Sequence, residues 1–569
     1  MNKNNEYIVK LIEKMTLEQK VGSLMTLGFA NTLVTQDIYD QILKYHCGGL
    51  RLSPSMRMFG DYVDPKTGKV VVKIENIKGY KKQFTTPPFV TPTEYKAILK
   101  ELQTLAMNRP LGIPLHYSFD QGGSTGVNYN FGGVNIFPQQ MGLRATGDPK
   151  LSYEVALAKC KQSKAVGFNW IHLPGLDINV NPDNPEIYSS AYSDRVEEVV
   201  EYAKESCKGF IKGGIIATGK HFPGLGGATT GGHYETQVIN VDKDTLMNRE
   251  LLPYRVLIKQ KLLPSIMLAH AVFPAIDEKD IATVSKPMIT GLLREELGFE
   301  GVITTDSMTM YSIAGKYGIA NACAMALAAG ADLVLLKAEN QLVDETFNAI
   351  KVYVEEGKIS EKELDDKIYR VLNLKHEYGF FNDGGISDET PEDVIKDEKI
   401  VALSQLVARK SVLIARDRNK VLPFSNDDKI LVIEQITTTP NNIHWHPGLL
   451  FKNCLKYNKK VQYLEISFTP DEEDKAKIKK MVEKFDSIIV TNYCKRGVSN
   501  NELIKEIARN QSKKVAVVTD TYKLSIPDEA DTVVVTFSTA PANIEIVAGV
   551  LFGKMQAEAE WPIEHKIDK

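Results

Sequence analysis

The sequence has few of the features that mark metal centres, secreted frameworks or membrane spans. Its 569 residues hold six cysteines, with no Cys-x-x-Cys pair and no histidine at metal-ligand spacing, which argues against zinc and favours free thiols in a reducing compartment. No apolar run reaches the roughly 18 residues of a spanning helix, and the polar N-terminus lacks the apolar stretch of a signal peptide. A net charge of -3 gives no electrostatic case for nucleic acid or a membrane surface. We therefore expect a cytoplasmic protein without metal or other cofactor.

Length and composition describe an ordinary globular protein that is too long for a single core. The apolar fraction is 43% and the charged fraction 25%, as in average soluble domains, and 569 residues predict two or more domains. Helical and strand periodicity lapses over residues 382–398, NDGGISDETPEDVIKDE. We interpret this stretch as a linker between a domain of residues 1–381 and a smaller domain of residues 399–569.

The first domain alternates apolar strand candidates with helical segments. The candidates are Val21–Phe29, Gly48–Leu52, Ile113–Phe119, Phe168–Leu173, Gly214–Thr218, Ser265–Ala269, Gly301–Thr305 and Ala331–Leu336. Segments with helical periodicity between them include Leu151–Gly167, Asp194–Lys212 and Ile319–Ala329. Eight alternations of strand and helix predict an α/β fold of the (β/α)8 TIM-barrel type.

Polar residues accompany the ends of several predicted strands. They are Arg51, Asp120, Asp177, the pair Lys220 and His221, His270, Asp306 and Lys337. Each alone fits a turn or a cap, and Asp306 fits the N-cap of the helical pattern that follows it. Because barrel enzymes keep their active sites at the C-terminal ends of the strands, the set together favours a catalytic site.

Two loops carry further candidates. After Lys220 and His221 the chain enters a Gly- and Thr-rich loop that carries His233. The long connection from Ser53 to Thr93 has two extended stretches around DPKTGK, which predicts a β-hairpin over the second strand end, either a substrate wall or simply a solvated basic hairpin.

The second domain also alternates strands and helices. Its strand candidates are Ser411–Ala415, Ile430–Ile433, Val461–Ile466, Ile488–Thr491, Lys514–Thr519 and Thr532–Phe537. No GxGxxG follows the first of them, so dinucleotide binding is not supported. The stretch Asn441–Pro447, NNIHWHP, is either a surface turn or a loop that reaches the barrel and stacks Trp445, between His444 and His446, on a sugar.

Several strings then identify a resemblance that covers nearly all of the predicted barrel. They are MTLEQKVGSL at residues 15–24, FDQGG at 119–123, MGLRATGDP at 141–149, LDINVNPDNP at 176–185, KHFPG at 220–224, ITGLLREELGFEGVITTDSM at 289–308 and AMALAAGADLVLL at 324–336. In order and spacing they resemble glycoside hydrolase family 3, and within it the β-N-acetylhexosaminidase branch. The tail, IEIVAGVLFGK, is similar to the C-terminal α/β sandwich domain of longer members.

The resemblance implies a retaining β-glycosidase that needs no metal. Asp306 would be the nucleophile that forms a glycosyl-enzyme, and His233 would be the acid/base. Asp120, Lys220 and His221 would bind sugar hydroxyls, with Arg51 and His270 completing the predicted substrate-binding set. A retaining enzyme needs an ionised carboxylate beside the anomeric carbon, and a nearby lysine keeps its pKa low.

The chain also departs from the family pattern, mostly around proton transfer and sugar recognition. Leu225 replaces the second histidine of KHFPGHG, and Gly231-Gly232-His233 replaces Asp-Ser-His, so the carboxylate that would orient the imidazole is missing from the loop. Asp-x-Glu-Gly-Gly is shortened to Asp120–Gly123, and Ser190–Tyr192 stands where an Arg-Ser-Phe holds the substrate.

Three readings follow. The favoured one is an active glycosidase of altered specificity, with His233 oriented by Glu235 or by a group from the Ser53–Thr93 insertion. One alternative is an enzyme that needs little general acid help, either a phosphorylase-like transferase or a hydrolase of sugars with good leaving groups. The other is a non-catalytic sugar-binding protein. The partner in each case is a carbohydrate, as N-acetylglucosamine, glucose, xylose or an anionic sugar, and the sequence does not specify an oligomeric state.

Overall fold

The first domain is a closed barrel of parallel strands. A computed structural model describes residues 4–30, 32–54, 90–124, 127–232, 235–337, 340–435, 448–494, 496–509 and 513–564, with the backbone of 62–63 and 70–72. The strands are β1 (Met25–Ala30), β2 (Gly49–Ser53), β3 (Tyr62–Val63), β4 (Val70–Val72), β5 (His116–Phe119), β6 (Trp170–Ile171), β7 (Ile216–Phe222), β8 (Gln237–Val238), β9 (Ser265–Leu268), β10 (Ala271–Phe273), β11 (Asp277–Ile281), β12 (Val302–Ser307), β13 (Leu333–Leu336), β14 (Leu413–Asp417), β15 (Ile430–Gln435), β16 (Gln462–Ile466), β17 (Ser487–Thr491), β18 (Lys514–Thr519) and β19 (Thr532–Val535). The barrel order is β1-β13-β12-β9-β7-β6-β5-β2, which confirms the predicted (β/α)8 fold.

Helices cover the outside of the barrel and both faces of the second sheet. They are α1 (Glu6–Ile12), α2 (Leu17–Ser23), α3 (Gln36–Leu43), α4 (Pro92–Met107), α5 (Gln140–Ala145), α6 (Pro149–Val166), α7 (Val196–Gly213), α8 (Lys243–Thr245), α9 (Leu252–Lys259), α10 (Tyr311–Ala314), α11 (Ile319–Ala329), α12 (Asn340–Glu355), α13 (Glu361–Glu377), α14 (Phe380–Asp383), α15 (Pro391–Ile395), α16 (Glu398–Ser411), α17 (Leu449–Cys454), α18 (Glu472–Val482), α19 (Asn501–Ala508) and α20 (Pro541–Leu551), with π-helical turns at Leu246–Glu250 and Pro287–Glu296.

Local sequence signals explain where the barrel helices begin and end. The α6 helix starts behind Asp148, whose side chain accepts a hydrogen bond from the Lys150 N–H, and Pro149 occupies its first turn. It ends at Gly167, whose φ of 115° lies in a region that favours glycine. A similar stop at Gly214 ends α7 directly before β7. These stops return the chain to the barrel at the start of the next strand.

Two predicted strands have different limits in the structure. Val21 belongs to α2, because the capping box of Thr16 and Gln19 starts a helix there, and β1 begins only at Met25. The fifth predicted strand extends through Lys220 and His221, which therefore lie inside β7. The β7–β9 pairing shifts register between Gly219 and Phe222, and apolar periodicity does not reveal such an irregularity.

The C-terminal domain is a six-stranded sheet of order β14-β19-β18-β17-β15-β16, with β14 antiparallel to β19. Each strand overlaps its predicted run, and β14 and β15 extend two residues beyond theirs. One face carries its own core, and the core of the other face includes Met141 and Ala145 of α5 from the barrel domain. The two domains therefore share apolar packing.

The predicted linker 382–398 is packed against the barrel. It contains the end of α14 and all of α15, and Val394 and Ile395 are buried. The Ile395 carbonyl accepts a hydrogen bond from the Asn135 side chain at 2.8 Å. The exact domain boundaries stay predictions.

Three properties concern the described residues as a whole. No helix within the described ranges is long and apolar enough to cross a bilayer. All six cysteines are buried free thiols. The backbone pairing of Tyr62 with Val72 agrees with the predicted hairpin, whereas the remainder of that prediction lies outside the described residues.

Candidate active site

Asp306 lies at the C-terminal end of β12, on the barrel face that carries active sites. Its side chain is 24% exposed, and its Oδ1 accepts a hydrogen bond from the Ser307 N–H at 2.6 Å. The next helix has Met310 at its N-cap, so Asp306 is not the cap of that helix. Burial alone would raise the pKa of Asp306, but His221, His270 and Lys220 together outweigh it and hold the pKa well below its usual range. Asp306 is therefore an ionised carboxylate at the mouth of the barrel.

His221 stands between Asp306 and a second, buried carboxylate. Its Nε2 lies 3.8 Å from Asp306 Oδ2, and its Nδ1 lies 2.9 Å from Asp177 Oδ2. Asp177 is only 2% exposed and also accepts hydrogen bonds from the backbone N–H groups of His221, at 3.2 Å, and Leu225, at 2.7 Å. With Asp177 acting as an acceptor, His221 Nδ1 is the donor, which directs Nε2 at Asp306. Burial lowers the pKa of His221, but the Asp177 charge more than compensates and raises it.

Asp120 is held by two cations. Arg51 of β2 is fully buried and donates from Nη2 to Asp120 Oδ2, and Lys220 Nζ donates to Asp120 Oδ1 at 2.8 Å. Burial would raise the pKa of Asp120, but Arg51 and Lys220 keep it well below its usual range. Because Arg51 is enclosed, its described role is to fix Asp120, whose side chain is one-third exposed to the cleft.

Two buried histidines support this arrangement. His172 Nδ1 lies 3.8 Å from Asp120 Oδ1, and burial lowers the pKa of His172 well below its ordinary value. His270 has Nδ1 at 2.7 Å from Thr283 Oγ1 and Nε2 at 3.1 Å from the Ser307 carbonyl. Both ring nitrogens of His270 are thus engaged within the protein, where they brace the end of the strand that carries Asp306.

Glu186, on the loop after β6, brings a further carboxylate toward the same region. Its Oε2 accepts a hydrogen bond from the Gly232 N–H at 2.8 Å. Burial raises the pKa of Glu186 despite the Gly232 N–H and the charge of His221, and Asp306 adds to the rise. Glu186 therefore tethers the loop that follows β7 close to the centre formed by Asp306 and His221.

Three sequence predictions fall outside the described residues. His233, most of the Ser53–Thr93 insertion and the Asn441–Pro447 loop belong to this group. Glu235, one of the groups suggested for orienting His233, is described and exposed. Of the other predicted site residues, Arg51, Asp120, Lys220 and His221 meet around the cleft beside Asp306.

Comparison with known proteins identifies the family of this chain. Residues 16–374 match the glycosyl hydrolase family 3 N-terminal domain, which is more than half of the chain. The chain belongs to glycosyl hydrolase family 3. The resemblance on which the sequence interpretation rested is thereby confirmed.

Curated relatives of the chain include proteins named as hexosaminidases. A β-hexosaminidase A of Pseudoalteromonas piscicida is 28% identical over 300 residues, covering 49% of this chain and 50% of that protein. A β-N-acetylglucosaminidase/β-glucosidase of Cellulomonas fimi is 27% identical over 296 residues, covering 50% of this chain and 52% of that protein. The chain spans about half the length of these curated relatives.

Solved structures of other proteins superpose over nearly the whole chain. A β-N-acetylglucosaminidase from Paenibacillus sp. matches with a TM-score of 0.82 at 26% identity, covering 96% of this chain and 99% of that one. A β-glucoside phosphorylase matches with a TM-score of 0.78 at 20% identity, covering 98% and 96% respectively. The second likeness shows the fold alone. Together they confirm a barrel followed by an α/β sandwich domain.

Sequence reasoning placed Asp177 after a predicted strand without assigning it a role, and it missed His172 and Glu186 as site residues. Asp177 and Glu186 lie in the long loop after β6, where no periodicity indicates which way a side chain faces. A signal for Asp177 was present, since it lies within the LDINVNPDNP string that matches the family. Glu186 directly follows that string, and only the contact with Gly232 reveals its position.

The Asp177–His221 pair leads to a prediction. Asp177→Asn places an amide against His221 Nδ1 and removes the charge that favours the imidazolium, so the pKa of His221 should fall. His221 should then lose its proton at lower pH than in wild type, and the alkaline limb of the activity profile should shift to lower pH. We expect kcat/KM to drop about ten- to hundredfold.

Histidine-detected NMR titration measures the pKa of His221 directly, with a His221→Asn variant assigning the signal. Asp183→Asn is a suitable control, because Asp183 is an exposed carboxylate on the same loop that pairs with Lys523. An unchanged His221 titration in Asp177→Asn would contradict the assignment.

Proposed function

We propose that the chain is a retaining β-glycosidase that removes terminal β-linked sugars of the β-N-acetylhexosaminide type through a covalent glycosyl-Asp306 intermediate. The observation that carries this proposal is Asp306 itself, an ionised carboxylate open to the barrel cleft with His221 Nε2 at 3.8 Å. The names of the hexosaminidase relatives support the sugar class.

The electrostatics of the site favour Asp306 as the nucleophile. A nucleophile must be ionised in the free enzyme and must lose its charge as the bond to the anomeric carbon forms. Lys220 and His221 favour the ionised form of Asp306 through their charge. Lys220 donates its hydrogen bond to Asp120, and His221 Nε2 stays 3.8 Å from Asp306 Oδ2. The carboxylate therefore remains available to the sugar.

Sugar recognition is assigned to the ion-paired group beside the nucleophile. Asp120 accepts from Arg51 and Lys220, which fixes its orientation while one-third of its side chain stays open to the cleft. A fixed carboxylate and ammonium are suited to hydroxyl groups, since each supplies charge-assisted hydrogen bonds. We assign Asp120, Lys220 and His221 to the sugar bound next to Asp306.

Proton transfer is assigned to His233, with Glu186 as its positioning residue. The family pattern puts the acid/base histidine on the loop after β7, and this chain lacks the aspartate that normally accompanies it there. Glu186 holds that same loop through the N–H of Gly232, the residue directly before His233. A half-buried carboxylate from the neighbouring loop would orient an imidazole and stabilise its protonated form.

Configuration of the first product tests the proposal. Wild-type protein should release p-nitrophenol from the β-glycoside of at least one sugar in a panel of N-acetylglucosaminide, glucoside, xyloside and glucuronide, with the first of these preferred. Proton NMR of the earliest product should show the β-anomer, because two displacements at the anomeric carbon retain configuration. Initial release of the α-anomer, or no release from any member, would overturn the proposal.

A further inference from the structure

A buried asparagine, Asn184, joins the loop after β6 to the loop after β7. Its side chain is fully enclosed, and its Nδ2 donates hydrogen bonds to the carbonyls of Leu225 at 2.7 Å and Gly226 at 3.0 Å. Its Oδ1 accepts hydrogen bonds from the backbone N–H groups of Glu186 at 2.9 Å and Ile187 at 3.0 Å. One side chain thus bonds both to the backbone of Glu186 and to the start of the loop after β7.

The hydrogen-bond pattern requires an amide at this position. A carboxamide has one acceptor oxygen and two N–H donors. All of them are used by Asn184, because Oδ1 faces two N–H groups and Nδ2 faces two carbonyls. Turning the amide over would set donors against donors and acceptors against acceptors. A carboxylate would keep the two N–H partners but would place an oxygen against the carbonyls of Leu225 and Gly226, and buried groups left unpaired in this way are costly.

A second asparagine, Asn181, joins the same two loops beside Asn184. The N–H of Asn181 donates to the Gly226 carbonyl at 3.2 Å, and its Nδ2 donates to the Ala228 carbonyl at 2.7 Å. The Asn181 Oδ1, however, accepts from a backbone N–H earlier in the same loop and not from Glu186. The two asparagines therefore differ in whether they hold the backbone that carries the Glu186 carboxylate.

Leu225 marks a departure from the family pattern, yet its contacts with the loop after β6 use only its backbone. Its carbonyl accepts from Asn184, its N–H donates to Asp177 Oδ1 at 2.7 Å, and its side chain is buried. Because both bonds involve main-chain atoms, they do not depend on a histidine at this position. The start of the loop after β7 is therefore fixed by Asp177 and Asn184 together.

The turn at Asn184 also sets the direction of the Glu186 side chain. The Glu186 N–H is fixed by Asn184 Oδ1, and Glu186 Oε2 accepts from the Gly232 N–H at 2.8 Å. Pro185, which directly precedes Glu186, packs on Gly497 of the C-terminal domain so closely that an added Cβ would lie 2.7 Å from the proline Cβ. The backbone at Glu186 is thus held by Asn184 on one side and by Gly497 on the other.

We infer that Asn184 is a positioning residue for proton transfer, which locks the loop that carries Glu186 to the loop that carries Gly232 and His233. This inference rests on the proposed function, in which Glu186 orients the acid/base His233. Because Asn184 is enclosed, it acts through these groups and not on the sugar itself. A general acid must lie within hydrogen-bond reach of the leaving oxygen, and a displacement of about 1 Å can cost on the order of a hundredfold in rate.

The test uses Asn184→Ala, with Asn181→Ala as the matched control. Both changes remove an amide that joins the two loops, but only the first frees the Glu186 backbone. On the preferred sugar, Asn184→Ala should lose about tenfold to a hundredfold in kcat/KM when the leaving group is a second sugar. It should keep turnover of the p-nitrophenyl glycoside within about threefold, because a phenolate departs without a proton. Asn181→Ala should change both rates by the same factor.

Asn184→Asp provides a second variant, in case the alanine variant does not fold. Aspartate has nearly the same shape and keeps the acceptor for the N–H groups of Glu186 and Ile187, but it removes both donors to the loop after β7. It should show the same dependence on the leaving group, with Asn181→Asp as the control for the added charge. Losses that are equal for both leaving groups would overturn the inference, since a merely structural residue would lower the two rates together.

Hydrogen exchange tests the same inference without a substrate. The Gly232 N–H is bonded to Glu186, so its protection reports whether the two loops stay aligned. Exchange at Gly232, followed by mass spectrometry with fragmentation to single residues, should be about tenfold faster in Asn184→Ala and unchanged in Asn181→Ala. Equal protection of Gly232 in wild type and Asn184→Ala would count decisively against the role of Asn184.

The outcomes separate this inference from the proposed function. Faster exchange at Gly232 in Asn184→Ala, in a protein that cleaves no glycoside, would reject the glycosidase and leave Asn184 as the residue that couples the two loops. Normal wild-type turnover, with a leaving-group effect in His233→Ala but none in Asn184→Ala, would reject the role of Asn184 alone.

Discussion

Replacing Asp306 with alanine should abolish turnover of every glycoside, activated or not, by a factor on the order of 10⁴ or more. Asp306 is the only group that we assign to bond formation at the anomeric carbon, and its loss removes the glycosyl-enzyme on which both chemical steps depend. A good leaving group cannot compensate, since it accelerates departure without supplying a nucleophile. Rates with p-nitrophenyl glycosides measure the effect.

Azide distinguishes a missing nucleophile from general damage. Alanine leaves a small space where the carboxylate stood, and a small anion entering there attacks the face that Asp306 would have attacked. Asp306→Ala with azide should therefore recover activity and yield the α-glycosyl azide. A β-glycosyl azide, or residual turnover within tenfold of wild type without azide, would contradict the assignment.

Folding of the variant is not expected to suffer. Apart from the short contact with the Ser307 N–H, Asp306 makes no direct hydrogen bond among the described residues. Its removal also relieves the partial desolvation of a half-buried carboxylate. Thermal unfolding of Asp306→Ala within a few degrees of wild type provides the control.

The barrel could be predicted from sequence because its strands are short apolar runs separated by helices of strong periodicity. The same pattern does not predict where the strands that carry the site residues end. The pairings of β7 and β12 both shift register next to His221 and Asp306. Such irregularities bring the functional side chains toward the cleft and leave no trace in apolar periodicity.

Groups contributed by loops and by the second domain could not be predicted. The C-terminal domain reaches the loop that carries Glu186 through the contact of Gly497 with Pro185, and no pattern in the sequence indicates that contact. Glu186 looks like an ordinary loop acid in the sequence. Its place in the site is indicated by one hydrogen bond that it accepts from the N–H of Gly232, 46 positions further along the chain. Sequence spacing alone does not reveal such a contact.

Proton transfer gives the second large effect. His233→Ala should reduce cleavage of sugar leaving groups by about 10²- to 10⁴-fold, because an alkoxide leaving group needs a proton in the transition state. The same variant should cleave activated aryl glycosides within about tenfold of wild type, since such phenolates depart without protonation. Rates for a series of aryl glycosides with different leaving-group pKa values measure this dependence.

Glu186→Gln should show the same dependence on leaving group with a smaller loss, roughly tenfold to a few hundredfold on sugar leaving groups. Glutamine keeps an acceptor for the Gly232 N–H but removes the charge that would stabilise the protonated imidazole. The acidic partner proposed from sequence, Glu235, is exposed, so Glu235→Gln is the matched control and should behave as wild type.

A double variant decides whether Glu186 acts through His233. If Glu186 only positions the histidine, Glu186→Gln with His233→Ala should be no slower than His233→Ala alone, because the second change has no imidazole left to orient. Additive losses would give Glu186 an independent role. A large loss in Glu186→Gln beside a small one in His233→Ala would instead make Glu186 itself the proton donor, consistent with a carboxyl group whose pKa burial raises.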